Sequence, residues 1–134
     1  MTIAAIADTH AVIWSLFGDS RLSAAARAFI SHAAQSGASV GVSGMTLVEI
    51  VYLVEKGRIP RDTLERLLRL LSDPEDVLAE IPVDHAIAEA MRQVDRQQVP
   101  DLPDRVIAAT AVHYQVPLIS RDRKIQSAGF ETIW

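Results

Sequence analysis

The chain has 134 residues, of which 49% are hydrophobic, so we expect one globular domain over residues 1–134 rather than a disordered polymer. The formal net charge is −4, from 17 acidic and 13 basic residues, which argues against a protein held to nucleic acid by bulk positive charge. This net charge is compatible with a nucleic-acid enzyme, because a bound metal ion can make the local charge of an acidic cleft positive. The lack of cysteine excludes disulfides and thiolate metal sites.

The N-terminal segment carries no targeting pattern. No basic region precedes its short apolar run, and Asp8 interrupts that run, so the sequence predicts no secretory signal. No apolar stretch reaches the roughly 18 residues that a membrane span needs. We therefore expect a soluble, cytoplasmic protein with no membrane partner.

Short apolar segments alternate with helical patterns along the chain. The predicted elements are, in chain order, a strand over 3–8, helices over 9–17 and 22–35, a strand over 38–42, helices over 44–56 and 61–71, a strand over 77–83, helices over 85–95 and 104–115, a strand over 117–120 and a possible strand over 130–134. This alternation predicts an α/β fold with a mostly parallel sheet. Ligands gather beyond the carboxyl ends of such strands, so Asp8 and Asp122 are expected to meet there.

Small polar residues and glycines mark several of the predicted helix ends. The predicted N-caps are Asp19 or Ser20 for the second helix, Ser43 for the third and Asp84 for the helix that follows the third strand. Gly37 is expected to end the second helix. Near Pro103, either Asp101 or Asp104 is expected to cap a helix while the other points into a cleft.

Four carboxylates lie where an apolar segment ends or would be disturbed by a charge. They are Asp8, Glu49, Asp104 and Asp122. Ionised carboxylates avoid apolar surroundings unless a cation or hydrogen bonds compensate them. Several that converge from distant points of a chain suggest Mg²⁺ or Mn²⁺, since these hard ions prefer oxygen ligands.

Each of these acids also has a simpler structural interpretation. Asp8 is a plausible helix N-cap, a role compatible with metal binding through its other oxygen. Glu49 has no basic partner one turn away, and its alternative is a solvent-facing position favoured by the helix dipole. Asp122 could lie in a solvated turn with weak local ion pairs. His10 could line a cleft, although a structural role fits it equally well.

Two other classes of function compete with a metal enzyme. In a binding module the acids would be caps, and an apolar helix face would engage a partner; the leucines of that face are Leu64, Leu67, Leu68 and Leu71. A phosphotransfer domain that uses Asp8 is disfavoured, because no second aspartate stands beside it and only two lysines exist, Lys56 and Lys124.

Four segments resemble the PIN-domain family, and within it the VapC-like toxins of bacterial toxin–antitoxin pairs. They are residues 6–11, 43–50, 104–111 and 118–122, in the family's order and spacing. The resemblance implies a three-layer α/β/α sandwich with a mostly parallel sheet of four to five strands. It further implies an endoribonuclease that forms a homodimer and is blocked by a cognate antitoxin. The alternative is a catalytically inactive PIN-like protein-binding module.

The resemblance also implies roles for individual residues. Asp8, Glu49, Asp104 and Asp122 would form the catalytic acidic pocket for Mg²⁺ or Mn²⁺, with Asp8 and Asp104 as direct ligands. Asp101 matches a second acid that often precedes the third motif. The remaining candidates for contact with substrate or metal-bound water are Ser120, Arg105, Arg121, Arg123 and Lys124.

The chain departs from the family pattern at two points. Relatives often carry a histidine ahead of the acids that precede the third motif, whereas residues 99–105 lack one and have a shifted proline. A tryptophan often precedes the glutamate of the second motif, and Val48 occupies that position here. Neither change removes one of the four acids.

Overall fold

The computed structural model describes residues 2–134, which form five strands and seven α-helices. The strands are β1 (Ile3–Ala7), β2 (Ser39–Ser43), β3 (Leu78–Ile81), β4 (Leu118–Ile119) and β5 (Thr132–Ile133). The helices are α1 (Thr9–Leu16), α2 (Ala24–Ser36), α3 (Gly44–Glu55), α4 (Thr63–Leu71), α5 (His85–Ala90), α6 (Leu102–Tyr114) and α7 (Arg123–Ser127). A 3₁₀ turn over Met91–Gln93 follows α5.

All strand pairs are parallel, and the strand order across the sheet is β3-β2-β1-β4-β5. The predicted α/β fold with a parallel sheet is confirmed, including the fifth strand. β1 lies at the centre, and Ala7 pairs with Val42 of β2 on one side and with Ile119 of β4 on the other. The carboxyl ends of these strands therefore meet at one edge of the sheet.

Residues alternate between the two faces of the sheet, and both faces are buried. Ala5 and Ala7 of β1 pack against the helices α1 to α4, whereas Ile6 between them packs against α5, α6 and α7. In β4, Ile119 joins the first cluster and Leu118 joins the second. Helices thus cover both faces and give the three-layer arrangement, as expected for a parallel sheet.

Several helix ends agree with the sequence and others do not. Ser43 and Asp84 cap α3 and α5 as predicted, and Gly37 ends α2 in a left-handed conformation. The predicted cap of α2 was wrong, because Ser23 accepts the hydrogen bond from the Ala26 amide. Asp19 binds the guanidinium and amide of Arg21 instead.

Two further differences from the predicted elements concern the end of α5 and the segment that follows β4. The helix predicted over 85–95 stops as an α-helix at Ala90 and tightens into the 3₁₀ turn. No helix was predicted between the last two strands, but residues 123–127 form α7, because Asp122 caps it and Ile125 is fully buried.

The leucines of α4 mostly belong to the core. Leu67 is completely buried, Leu64 and Leu71 pack against the same cluster, and only Leu68 stays substantially exposed, at 44%. The apolar face that the binding-module hypothesis placed on this helix is therefore used within the fold. Among residues 2–134, no helix is long and apolar enough to cross a membrane.

Candidate active site

A cavity of about 510 Å³ opens beside the carboxyl ends of β1 and β4. Its lining brings together five acids, one histidine, one arginine, one tryptophan and one threonine. These residues are Asp8, Thr9, His10, Trp14, Glu49, Asp101, Asp104, Arg121 and Asp122. All four acids expected from the sequence lie in this cavity, together with Asp101.

The sheet topology explains why residues so distant in sequence meet. The chain leaves β1 for β2 on one side, and β4 lies on the other side, so the strand order switches direction between β1 and β4. A crevice forms at such a switch point in open α/β sheets. The Asp8 amide donates to the Ile119 carbonyl at 3.1 Å, which aligns the residues that follow the two strands.

Asp8 caps α1 and also lines the cavity. Its Oδ1 accepts a hydrogen bond from the Ala11 amide at 2.9 Å. Burial raises the pKa of Asp8, while a hydrogen bond from the Ser120 hydroxyl and the one from Ala11 oppose that rise. The cap thus holds a buried carboxylate toward the cavity.

The two aspartates at the start of α6 have different positions, as expected. Asp101 is the cap, with Oδ2 accepting from the Asp104 amide at 3.2 Å, and Asp104 lies in the first helical turn with its carboxyl in the cavity. Burial raises the pKa of Asp104 to about 7, and the charges of Asp101, Asp122, Glu49 and Asp8 add to the rise in that order. The pKa of Asp104 is therefore raised by the charges of all four other acids in the cavity.

Glu49 projects from α3 toward α1 rather than into open solvent. The Thr9 hydroxyl donates to its Oε1 at 2.5 Å. Partial burial raises the pKa of Glu49; the Thr9 hydrogen bond lowers it, and the neighbouring charge of Asp101 raises it further. The solvent-facing alternative does not describe its position.

Ser120 and Asp122 form a compact turn after β4. Ser120 is fully buried, and its Oγ accepts a hydrogen bond from the Asp122 amide at 3.0 Å. Asp122 caps α7 by accepting from the Lys124 amide at 2.8 Å. The turn therefore fixes one carboxylate in the cavity and places a hydroxyl beside Asp8.

Arg121 is the one guanidinium in the cavity lining. Its Cζ lies 4.4 Å from the centroid of the Trp14 ring, a distance at which a cation is attracted to an aromatic face. Trp14 is itself nearly buried and also contacts His10 and Trp134, with ring centroids 5.5 Å and 5.8 Å away. The tryptophan thus supports the arginine at the cavity wall.

The other basic candidates lie elsewhere. The Arg105 guanidinium donates to the carbonyls of Met91 and Val94, so it ties α6 to the 3₁₀ turn. The group is turned into the fold with its Nε buried, and Arg105 does not line the cavity. Arg123 and Lys124 line a separate hollow with Gln98.

The donor chemistry of the cavity fits a hard divalent cation. Within residues 2–134, no three acidic or histidine side chains stand close enough to form a ready-made metal cage. Mg²⁺ does not require such a cage, since it keeps several waters and is commonly held by one or two carboxylates. The raised pKa of Asp104 also fits a cation, because an ion would relieve the repulsion that the neighbouring acids exert on its charge.

Three residues of the site were not recognised as functional from the sequence. Trp14 is a core residue that also lines the cavity. Thr9 and Thr46 were not singled out, although they form a hydroxyl pair at 3.1 Å next to Glu49. The available signals were weak: Thr9 is adjacent to Asp8, and Thr46 precedes Glu49 by one helical turn.

The model of the family described as "PIN domain" matches residues 5–131. This chain belongs to the PIN domain family. No curated protein sequence matches it. PIN domains are generally nucleases and typically bind divalent metals, which supports a hydrolase at the level of the family.

Solved structures of similar fold come from bacterial complexes. VapBC2 from Rickettsia felis, bound to a promoter DNA fragment, aligns with a TM-score of 0.70 and 15% identity over 98% of this chain and 100% of that chain. FitAcB from Neisseria gonorrhoeae aligns with a TM-score of 0.62 and 18% identity over 96% and 95% of the two chains. A toxin–antitoxin complex from Klebsiella pneumoniae aligns with a TM-score of 0.57 and 24% identity over 90% and 88%. At these identities the similarity establishes the fold.

Proposed function

We propose that this PIN domain is a metal-dependent endoribonuclease, and that it is the VapC-like toxin of a toxin–antitoxin pair. The observation that carries the proposal is the convergence of five carboxylates in one cavity at the switch point of the sheet. Such a concentration of negative charge destabilises a fold unless a cation neutralises it. Metal-assisted phosphodiester hydrolysis is the chemistry that needs this arrangement.

The acids of the cavity are assigned different roles in this reaction. Asp8 and Asp104 would hold Mg²⁺ or Mn²⁺ directly, and Asp101 would add negative charge beside them. When bound, the ion supplies Lewis-acid stabilisation of the phosphate charge and lowers the pKa of water. Glu49 would contact the ion and, together with Asp122, orient the attacking water; partial burial raises the pKa of Glu49, which makes it a stronger base than an ordinary glutamate. Ser120 keeps the Asp8 carboxylate in place.

Arg121 positions the substrate. A phosphate backbone is repelled by the cavity acids, and this guanidinium is the one permanent positive charge in the lining. Its stacking on Trp14 limits the motion of a long side chain, so less conformational entropy is lost when it binds a phosphate. We assign it to a phosphate next to the scissile bond.

Replacing Arg121 with Ala is expected to lower kcat/KM for RNA cleavage by roughly tenfold or more, because a charge-assisted hydrogen bond to phosphate is lost. The matched control is Arg123→Ala, two residues away, whose side chain lines a different hollow. Steady-state cleavage of a short fluorogenic RNA would measure both. Equal losses in the two variants would remove the special role of Arg121.

The proposed nuclease is tested by incubating the purified chain with total bacterial RNA. We expect discrete fragments in Mg²⁺ or Mn²⁺ and none in EDTA, since the acids alone cannot stabilise the phosphate charge. Refolding from denaturant before the assay removes any co-purified inhibitor. A folded, inhibitor-free protein that binds Mn²⁺ and cuts no RNA in any of several RNA pools would favour the alternative, a catalytically inactive PIN-like binding module.

Protein partners are proposed from the surface of α3. Val48, Val51 and Tyr52 lie on one side of this helix and remain 59%, 41% and 54% exposed. Apolar residues grouped in this way on a surface mark contact sites for other proteins. Since two of the similar structures are a toxin–antitoxin complex and VapBC2, we propose a cognate antitoxin and a second copy of this chain as the partners, with hetero-oligomers as their joint assembly.

A further inference from the structure

The two threonines beside Glu49 form a buried hydrogen-bonded chain. Thr9 is the first residue of α1, and Thr46 lies in the first turn of α3, three residues before Glu49. The Oγ1 atoms of the threonines are 3.1 Å apart, and the Thr9 Oγ1 is 2.5 Å from the Glu49 Oε1. Thr46 is completely buried and Thr9 is 4% exposed, so neither hydroxyl is free to bond bulk water.

The direction of this chain follows from the number of protons. A hydroxyl has a single proton to donate, and the Thr9 proton goes to the carboxylate, the stronger acceptor. Thr46 must then donate to the Thr9 oxygen. The order is therefore Thr46 to Thr9 to Glu49, and Thr46 affects the carboxylate without touching it.

The arrangement restrains a flexible side chain. A glutamate loses rotamer freedom when it is fixed, and a site prepared in advance avoids that loss at the moment of binding. Among residues 2–134, Glu49 Oε1 bonds Thr9 and Oε2 has no hydrogen-bond donor. One oxygen is thus held by protein while the other remains available to a ligand.

We propose that Thr46 is a positioning residue, which acts through Thr9 to hold the Glu49 carboxylate for the divalent cation. This inference rests on the proposed function, because the cation is the ligand that the carboxylate serves. Hydrogen-bond partners behind a metal-binding group typically change metal affinity by about 10–100-fold when removed.

The experiment is calorimetric titration of Mn²⁺ into the metal-free protein, without RNA. Thr46→Val keeps the shape of the side chain and removes the hydroxyl, and it is expected to weaken Mn²⁺ binding about tenfold. Thr46→Ser restores a hydroxyl and should bind Mn²⁺ within about twofold of the unaltered protein. Thr9→Val removes the hydroxyl that donates directly to Glu49 and should weaken Mn²⁺ binding at least as much. The proposal can therefore still be tested if one of the two variants folds poorly.

The matched control is Thr110→Val in α6. Thr110 is also buried, but its hydroxyl donates to the Val106 carbonyl of its own helix, away from the cavity. This variant should lose stability to a similar degree as Thr46→Val, measured as the change in Tm, and should keep its Mn²⁺ affinity. A general effect of removing a buried hydroxyl would instead appear in both variants.

The Glu49→Gln background shows whether Thr46 acts through Glu49 or independently of it. If Thr46 acts through Glu49, adding Thr46→Val to Glu49→Gln should not weaken Mn²⁺ binding further. The proposal is overturned if Thr46→Val binds Mn²⁺ as the unaltered protein does, or if its effect persists undiminished in the Glu49→Gln background. By contrast, an unaltered protein that binds no Mn²⁺ would refute the proposed function itself.

Discussion

Replacing Asp8 with Asn should lower RNA cleavage at least about 100-fold and leave the fold intact, because one carboxylate charge is lost from the centre of the site. Asparagine keeps an oxygen of the same shape, and it is as good an N-cap as aspartate. The hydrogen bond from the Ala11 amide to the side chain can therefore persist. Affinity for Mn²⁺ should fall together with cleavage.

The matched control is Asp84→Asn. Asp84 is also an aspartate N-cap with an extended backbone, and its Oδ1 accepts from the Ala86 and Ile87 amides at the start of α5. It does not line the cavity, so the same chemical change should leave cleavage and Mn²⁺ affinity unaltered. Thermal unfolding of the two variants would show whether the caps tolerate asparagine equally.

Retained cleavage in Asp8→Asn would contradict the assignment of Asp8 as a metal ligand. Loss of cleavage accompanied by unfolding would instead make Asp8 a structural cap. The comparison with Asp84→Asn separates these two results, since it measures the effect of the exchange at a cap alone.

The location of the acids was predictable because it depends on topology. Asp8 and Asp122 follow parallel strands, and parallel strands end at the same edge of the sheet. Either Asp101 or Asp104 had to cap a helix near Pro103, and the other had to face away from the cap. These inferences need only the order of the elements and the spacing of residues along the chain, and both can be obtained from the sequence.

Contacts between side chains of distant elements were not predictable in the same way. The bond from Thr9 to Glu49 depends on how closely α1 approaches α3, which no periodicity encodes. Arg105 was expected at the substrate, but the 3₁₀ turn presents two carbonyls that bind it more directly. The short helix α7 was missed because five residues are too few to show a helical pattern.

The structure also explains how the acids can be so close together. Asp8, Asp101 and Asp122 each cap a helix as well as line the cavity, so the N-termini of α1, α6 and α7 are directed toward the same region. Helix N-termini carry partial positive charge and favour nearby anions. The caps therefore offset part of the repulsion among the acids in the folded protein, while burial and the remaining charges keep the pKa of Asp104 raised.

Replacing Asp104 with Asn should stabilise the metal-free protein at alkaline pH although it removes a proposed metal ligand. Asp104 titrates near 3.8 when unfolded and at about 7 in the fold. Between these values the folded state binds more protons, so the free energy of unfolding falls as pH rises from about 4 to about 7, and then levels off.

Because the side chain is partly exposed, solvent screening reduces the effect, and we expect Asp104→Asn to raise the free energy of unfolding at pH 8 by only about 1–2 kcal/mol. The gain should vanish near pH 4, where Asp104 is protonated in the fold. Urea unfolding in EDTA at both pH values would measure it, with Asp84→Asn as the control that gains nothing. Excess Mn²⁺ should reverse the order at pH 8, because the ion stabilises the unaltered protein more than the variant. If Asp104→Asn is less stable than the unaltered protein at pH 8 without metal, burial and repulsion of the Asp104 charge do not destabilise this fold.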